Sequence, residues 1–215
     1  MWLKEWLDLA EEPRMRCIGL LLLALLPLAC QSTPTQPRQR TPLAGLDVQP
    51  DLAVSNPPFD EVHASWKHRI AQPYVFLEAR GSYTRVGEHL GEAVRLAQEQ
   101  GLEIAGPPFA LYYDDPGKVA SDELRMRACL PVAGPSGHKA PLGYEVLEST
   151  TVVYAFASGP YPEVPRIYPG MFAYLGELGW RENGPIRESY LVNPADVSDF
   201  SELVTEVQIP AAAAR

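Results

Sequence analysis

The sequence predicts an α+β fold made of two tandem β-α-β-β units, related by a pseudo-twofold axis and facing each other across a central ligand groove. A repeated motif is the first observation behind this prediction. The frame G-P-x-x-x-x-Y-x-x-x-P occurs in 106–116 and again in 184–194, at an offset of 184 − 106 = 78 residues. The same offset relates Gly101 to Gly179. Self-similarity at a fixed period indicates a duplicated structural unit.

The order of strand and helix signals in the first unit is the second observation. The stretch PYVFLEARG (73–81) is rich in aromatic and β-branched residues and predicts a strand. A helix is predicted next, ending at Gly101. Its apolar face consists of Val86, Leu90, Ala93, Val94 and Ala97. FALYYDD (109–115) and ELRMRACLPV (123–132) then predict two strands joined by a turn.

The second unit repeats this order. TTVVYAFASG (150–159) predicts a strand, and RESYLVN (187–193) and ELVTEVQIP (202–210) predict the two closing strands. The apolar face of the helix between them consists of Val164, Tyr168, Met171, Phe172 and Leu175. Pro169 and Gly170 interrupt that pattern, so the helix is either kinked or starts late.

Two such units place amphipathic helices on one face of an antiparallel sheet. The cleft where the halves meet is then the expected ligand site. Upstream of the first unit, Phe59, Val62, Trp66 and Ile70 recur at helical spacing. This spacing predicts a short packing segment without a functional role.

The N-terminal region carries the features of a bacterial lipoprotein leader. An apolar run of twelve residues (18–29) is too short to span a bilayer and suits a secretory signal peptide over 1–29. Acidic residues before position 13 are atypical of such a leader, which indicates Met15 as the true start. The run ends in LPLAC, which resembles a lipobox and predicts lipidation of Cys30. An uncleaved signal anchor is the alternative.

The next segment, 30–58, is predicted to be a tether. It is rich in proline, serine, threonine and glutamine, and it has too few large apolar residues to fold. The folded domain is therefore predicted over 59–212, held at the cell envelope by the lipid on Cys30. The residue after the cysteine is Gln31, not the aspartate that is linked to retention in the inner membrane. The outer membrane is therefore the expected location in a two-membrane bacterium.

Composition argues against several classes of function. The net charge is −9 and no basic patch is present, so nucleic acid is not an expected partner. The four histidines lack the spacing of metal ligands, and no glycine-rich nucleotide motif occurs, so no metal or cofactor is expected. Cys129 lies in an apolar run and is predicted to be buried.

Three segments resemble the GyrI-like family. They are QPYVFLEARGSYTRVGEHLGEAV, GLEIAGPPFALYYDDP and GPIRESYLVNPADVSDFSELVTEVQIP, and the resemblance covers about residues 65–210. That family shares its fold with the effector-binding domains of multidrug-sensing regulators, and at the fold level with haem-binding SOUL proteins. The resemblance implies two β-α-β-β units around a groove for bulky, apolar, often cationic compounds. Some similar members hydrolyse cyclopropanoid toxins, whereas others act by binding.

One residue distinguishes the two copies of the repeated frame. Side chains alternate across a strand, so Glu188 and Tyr190 share a face. The residues 78 positions earlier, called their mates below, are Ala110 and Tyr112. Glu188 therefore breaks the symmetry near the axis. The resemblance implies that Glu188 is the acidic residue of the groove. The alternatives without a binding role are that Glu188 is exposed to solvent or forms an ion pair with a neighbouring arginine, Arg187 or Arg125.

The sequence thus predicts a membrane-anchored module that binds hydrophobic or cationic small molecules. The predicted ligand-binding residues are Glu188, Tyr190, Tyr112, Trp180 and Phe172. Packing roles for the aromatic residues remain open alternatives. A second hypothesis is a hydrolase of reactive small molecules with Glu188 as its catalytic residue. A third is a structural or protein-binding role with an unknown partner at the membrane.

Overall fold

The computed structural model describes residues 49–135 and 137–214. The predicted signal peptide, Cys30 and most of the predicted tether lie outside the described residues. Within the described part, no helix is both long enough and apolar enough to cross a bilayer.

A ten-stranded sheet with two α-helices makes up the described domain, which confirms the α+β class. The helices are α1 (Val86–Glu99) and α2 (Tyr168–Glu177). The strands are β1 (Val54–Ser55), β2 (Ala64–Arg69), β3 (Gln72–Arg80), β4 (Phe109–Tyr112), β5 (Arg125–Pro131), β6 (Gly143–Leu147), β7 (Thr150–Ser158), β8 (Trp180–Glu182), β9 (Ile186–Tyr190) and β10 (Val204–Ala213). Their order in the sheet is β1-β7-β10-β9-β4-β5-β3-β6, with β2 also on β7 and β8 also on β10.

Two β-α-β-β runs occur along the chain, namely β3-α1-β4-β5 and, after β6, β7-α2-β9-β10, in which the short strand β8 is inserted between α2 and β9. Local contacts repeat with them. The Tyr83 hydroxyl donates to the carbonyl of Asp114, and 78 residues later the Tyr161 hydroxyl donates to the carbonyl of Val192. Both helices are followed by a glycine in the left-handed region, where a side chain is strained, with φ 66° in the first unit and 68° in the second.

The two halves join where β4 pairs antiparallel with β9. In this register Ala110 lies directly opposite Glu188, its own mate in the repeat. Leu111 lies opposite Arg187. The two residues that correspond to them at the 78-residue offset of the repeat also lie opposite each other. A local twofold axis therefore passes between Ala110 and Glu188. This β4–β9 pairing is called the seam below.

Each helix covers its own half of one sheet face. Helix α1 packs on a buried cluster that includes Val75, Ala128 and Leu130. Helix α2 packs on a second cluster that includes Val153 and Val207. Because residues directly opposite each other in a sheet point to the same side, these residues define the helix face. The other side of the sheet is called the second face.

Helix α2 starts late rather than being kinked. A 3₁₀ stretch, Tyr161–Ile167, precedes it, and Pro169 falls in its first turn, where a missing N–H costs no hydrogen bond. Gly170 is required by packing, because a Cβ atom there would lie 2.7 Å from the side chain of Val62.

Two predictions for the region before the first unit are wrong. Trp66 and its neighbours do not follow a helical pattern but form β2, which pairs antiparallel with β7. The end of the predicted tether is also part of the fold, since Val54 and Ser55 pair parallel with β7. Asp51 accepts a hydrogen bond of 3.1 Å from the Tyr154 hydroxyl. Both edge strands are held by non-local pairing with β7, which short-range spacing does not report.

A chain that begins at residue 59 should be less stable than one that begins at residue 49. The shorter chain lacks β1, the Asp51–Tyr154 hydrogen bond and the 2.6 Å hydrogen bond from Ser158 to Asn56. Each such bond contributes about 0.5–1.5 kcal/mol, so we expect a loss of about 1–3 kcal/mol in the free energy of unfolding. Urea denaturation of both chains measures it. Equal stability would place the domain boundary at residue 59.

Candidate functional site

Glu188 is a buried carboxylate in the middle of β9. Its side chain is on the helix face, because it lies opposite Val207 on one side and Ala110 on the other. Only 3% of the residue is exposed. Among the described residues it forms no ion pair. Arg125 binds Asp114 instead, and Arg187, the next residue of the strand, points to the second face. The predicted alternatives of a solvated or arginine-paired Glu188 are therefore wrong.

Three phenols take the place of a countercharge. The Tyr168 hydroxyl donates to Oε1 of Glu188 at 2.5 Å. The hydroxyls of Tyr190 and Tyr112 both reach Oε2, at 3.0 and 3.3 Å, and lie 2.9 Å from each other. Hydrogen bonds to a carboxylate favour its charged form and satisfy its lone pairs. Glu188 is thus held in place by neutral donors.

The repeat supplies two of these phenols and α2 supplies the third. Tyr190 follows Glu188 by two positions in β9, and Tyr112 is its mate in β4 across the seam. Tyr168 is the first residue of α2, and the equivalent position of α1 is Leu90. The carboxylate and its third donor are therefore both features of the second unit alone.

Two further tyrosines extend the aromatic surface around the carboxylate. The ring of Tyr83 lies 4.7 Å from that of Tyr112, and the ring of Tyr161 lies 4.6 Å from that of Tyr190. Both tyrosines also hydrogen-bond to the backbone, as described above, so they brace the inner pair. Tyr112 and Tyr168 are only partly buried, which leaves part of this surface open to solvent.

Burial sets the electrostatics of the site. Removal from water raises the pKa of the Glu188 carboxyl, and the hydrogen bonds from Tyr168, Tyr190 and Tyr112 oppose that rise. Burial, reinforced by the nearby Glu188, also raises the pKa values of the three phenols well above their usual value. The phenols therefore remain neutral donors at physiological pH. Among the described residues, no three His, Cys, Asp or Glu side chains are placed to share a metal ion.

The other two predicted site residues, Trp180 and Phe172, take no part in the hydrogen bonds of this cluster. Trp180 lies in β8 opposite Ala213, and its ring meets Trp66 edge-on at 5.8 Å. Ala213 is six residues beyond Val207 along β10, about 20 Å at 3.3 Å per residue. Trp180 packs on the α2 core, which is the packing alternative, and its ligand-binding role stays a prediction. Phe172 lies one helical turn beyond Tyr168 and is 38% exposed. Its ligand-binding role stays a prediction.

Sequence reasoning missed Tyr168 as a site residue. It placed Tyr168 only on the apolar face of the helix, and the repeat gave no signal because its mate is Leu90. Tyr83 and Tyr161 did carry a signal, since they are mates at the same offset of 161 − 83 = 78 residues. Cys129 is buried, as predicted.

Comparisons with known proteins agree with this architecture. The GyrI-like small molecule binding domain model matches residues 66–212. The structure of the EcmrR C-terminal domain is similar with a TM-score of 0.64 and 18% identity, over 71% of this chain and 99% of that one. EcmrR in a complex with DNA gives 0.63 and 18%, over 70% of this chain and 57% of that one.

An uncharacterized conserved protein from Listeria innocua has a TM-score of 0.51 and 14% identity, over 69% of this chain and 92% of that one. No curated protein matches the sequence significantly. At these identities, the structural similarity establishes the fold alone.

The raised pKa of Glu188 predicts a pH-dependent difference between the protein and its Glu188→Gln variant. The folded state holds a proton that the unfolded chain has already released, so stability falls as pH rises from the unfolded pKa through the folded one. The variant lacks this loss. Its melting temperature relative to the unmodified protein should therefore increase as the pH rises from about 4.3, the ordinary pKa of glutamate, through the raised pKa of the folded state.

Thermal denaturation across that range measures the difference, and Glu103→Gln, at an exposed position, is the matched control. A difference that stays constant with pH for Glu188→Gln would show that the carboxyl has an ordinary pKa.

Proposed function

Because the chain belongs to the GyrI-like small molecule binding domain family, we propose that it binds hydrophobic cations, with Glu188 as their countercharge. One observation carries this proposal. Glu188 is buried, hydrogen-bonded by three neutral phenols, and without a cationic partner among the described residues.

The energetics favour a ligand that is both cationic and aromatic. A desolvated carboxylate is costly unless it is paired, so an incoming cation relieves a penalty that the empty site carries. The tyrosine faces add cation–π attraction of about 0.5–2 kcal/mol each. A hydrophobic ligand also removes the exposed part of Tyr112 and Tyr168 from water.

The same carboxyl supports hydrolysis as a second candidate function. A buried glutamate with a raised pKa holds its proton to a higher pH than an exposed one and can donate it to a substrate carbon, or activate a water after losing it. The phenols that hold Glu188 would fix its orientation in that reaction. Binding and hydrolysis therefore use one site and differ in whether the ligand leaves unchanged.

The binding proposal predicts charge selectivity that depends on Glu188. Tetraphenylphosphonium is a suitable probe because its charge is permanent and the tetraphenylborate anion has the same shape. In calorimetric titrations of the full chain, we expect binding of the cation and little binding of the anion. Glu188→Gln should raise the dissociation constant for the cation at least about tenfold, a loss of about 1.4 kcal/mol.

Glu103→Gln removes the same charge at an exposed position and should leave the dissociation constant unchanged. Equal weakening by both variants, or equal affinity for cation and anion, would refute the role of Glu188. Mass spectrometry of candidate cyclopropane-bearing ligands after incubation tests the second function. A product heavier by one water, absent with Glu188→Gln, would establish hydrolysis.

We also propose that a lipid on Cys30 holds this domain at the bacterial cell envelope. In a bacterium with two membranes, the lipid would be in the outer membrane. The support is the leader-like sequence of 1–29, which ends in LPLAC. Several acyl chains on one cysteine are enough for stable anchoring. The binding site would then act outside the cytoplasm, where it could sequester ligands or present them to a protein partner.

Lipidation of Cys30 predicts that the protein expressed in a bacterium incorporates labelled palmitate and partitions into the detergent phase. Cys30→Ser should lose both properties, because the thiol is the acceptor of the lipid. Cys17→Ser is the matched control and should keep them. Membrane association of Cys30→Ser with an uncleaved leader would instead support a signal anchor.

A further inference from the structure

The second face of the sheet contains a row of mostly polar residues that crosses the seam, with Leu111 as its apolar member. In successive strands, Tyr154, Gln208, Arg187, Leu111 and Arg127 lie directly opposite one another. They share a face that points away from α1 and α2. The centre of the row is Arg187, adjacent in sequence to Glu188 but on the other side of the sheet.

Arg187 is buried with most of its hydrogen-bonding capacity unused. It is 6% exposed. Its Nε donates to Ser189 Oγ at 2.9 Å, and its guanidinium carbon lies 4.1 Å from the centre of the Phe109 ring. Among the described residues, no acceptor is bound by its two terminal nitrogens. A guanidinium has five N–H donors, and an aromatic face does not replace the acceptors that the other four require.

The neighbouring charges do not neutralise Arg187. The nearby carboxylate, Glu206, pairs with Lys67 at 2.7 Å and accepts a 3.0 Å hydrogen bond from Gln208. Arg69 bonds to the Gln208 side chain at 3.4 Å and to the Glu148 carbonyl at 3.1 Å, and its Nε is buried without a partner. This cluster, comprising Lys67, Arg69, Arg187 and Glu206, thus combines three cations with one carboxylate.

Arg127, in the same row, is an arginine whose hydrogen bonds and countercharges come from other side chains of the protein. Its guanidinium bonds to Glu78 at 3.0 Å, to Glu145 at 2.5 Å and to the Tyr74 hydroxyl at 3.0 Å. Two carboxylates therefore neutralise one guanidinium there. Among the described residues, Arg187 and Arg69 have no such pair of carboxylates, although Arg187 is buried and Arg69 is partly buried.

Burial disfavours the charged form of both residues. It lowers the pKa of Arg187 to about 10; the carboxylate of Glu206 opposes this decrease, and the charge of Arg69 adds to it. Burial also lowers the pKa of Arg69. Both guanidiniums remain charged at neutral pH, so two positive charges repel each other where both are partly removed from water. An anion between the two would offset the cost of this arrangement.

We propose that the second face is a binding site for a small oxyanion, a carboxylate or phosphate group held between Arg187 and Arg69. The planar fork of a guanidinium matches the two oxygens of such groups. The terminal nitrogens of Arg187 and the Nε of Arg69 are the donors that remain for it, and Lys67 adds positive charge at the edge. This site is separate from that of Glu188, because adjacent strand residues point to opposite faces.

The test is oxyanion-dependent stabilisation of the full chain. Sodium phosphate and sodium acetate, each at about 10 mM, are compared with sodium chloride at equal ionic strength in thermal denaturation. A ligand that binds only the folded state raises the melting temperature, and we expect a rise of at least about 3 °C with one or both oxyanions. Phosphate alone or acetate alone identifies the group that the site prefers, and either supports the proposal.

Two variants localise the effect. Arg69→Gln, at the partly exposed edge, should fold and lose most of the shift. Arg187→Met should lose the shift completely while remaining at least as stable as the unmodified protein in chloride, because it removes an unpaired buried charge. Arg95→Gln removes an exposed arginine that pairs with Glu92 and Glu99, and should keep the full shift.

Two results would overturn the proposal. One is the absence of any oxyanion-specific shift in the unmodified protein. The other is a shift of equal size in Arg69→Gln, which would place the anion elsewhere on the surface. Tetraphenylphosphonium binding by Arg69→Gln should match that of the unmodified protein, which separates this site from the groove at Glu188.

Discussion

The antiparallel pairing of β4 with β9 is the interaction on which the rest of the structure depends. It places Ala110 opposite its own repeat mate, Glu188, so that a carboxylate lies beside the local twofold axis. Any other register would move Glu188 away from Tyr112 and separate the two hydroxyls that now share its Oε2 atom. The seam also brings the second pair of mates together, since the guanidinium of Arg187 stacks on Phe109. The two halves therefore differ where they touch, and each face of the seam carries one charged residue.

The resulting site is asymmetric even though the framework repeats. Tyr112 and Tyr190 are equivalent, whereas Glu188 and Tyr168 have only apolar counterparts in the first unit. Because all three donors to the carboxylate are neutral, no cationic side chain in the described part of the chain compensates the charge of Glu188. The burial that raises its pKa also removes the water that would otherwise stabilise its charge, and the proposed preference for a cation rests on this. Behind it, Arg187 presents the opposite charge to the second face, so the sheet separates two charged environments of opposite sign.

Much of this could be predicted from the sequence, because the informative signals are local. Strand alternation placed Glu188 and Tyr190 on one face, and the offset of the repeat predicted Tyr112 beside them. The rest depends on pairing between distant segments. The position of Trp180 follows from β8 pairing with the far end of β10, and β2 forms only because β7 offers it an edge. Tyr168 reaches Glu188 because α2 starts late, at a proline whose effect the sequence left open. The interior of the second face gave no short-range signal, since the aromatic ring and the charged side chains around Arg187 lie in other strands.

The central claim is that a ligand cation compensates the buried charge of Glu188. The most direct test is the ionisation of this one carboxyl, followed by the chemical shift of its Cδ carbon in a pH titration with and without saturating tetraphenylphosphonium. We predict a pKa above the ordinary value of about 4.3 in the free protein and a decrease when the cation is bound. An ordinary pKa in the free protein, or a raised pKa that the bound cation leaves unchanged, would contradict the account.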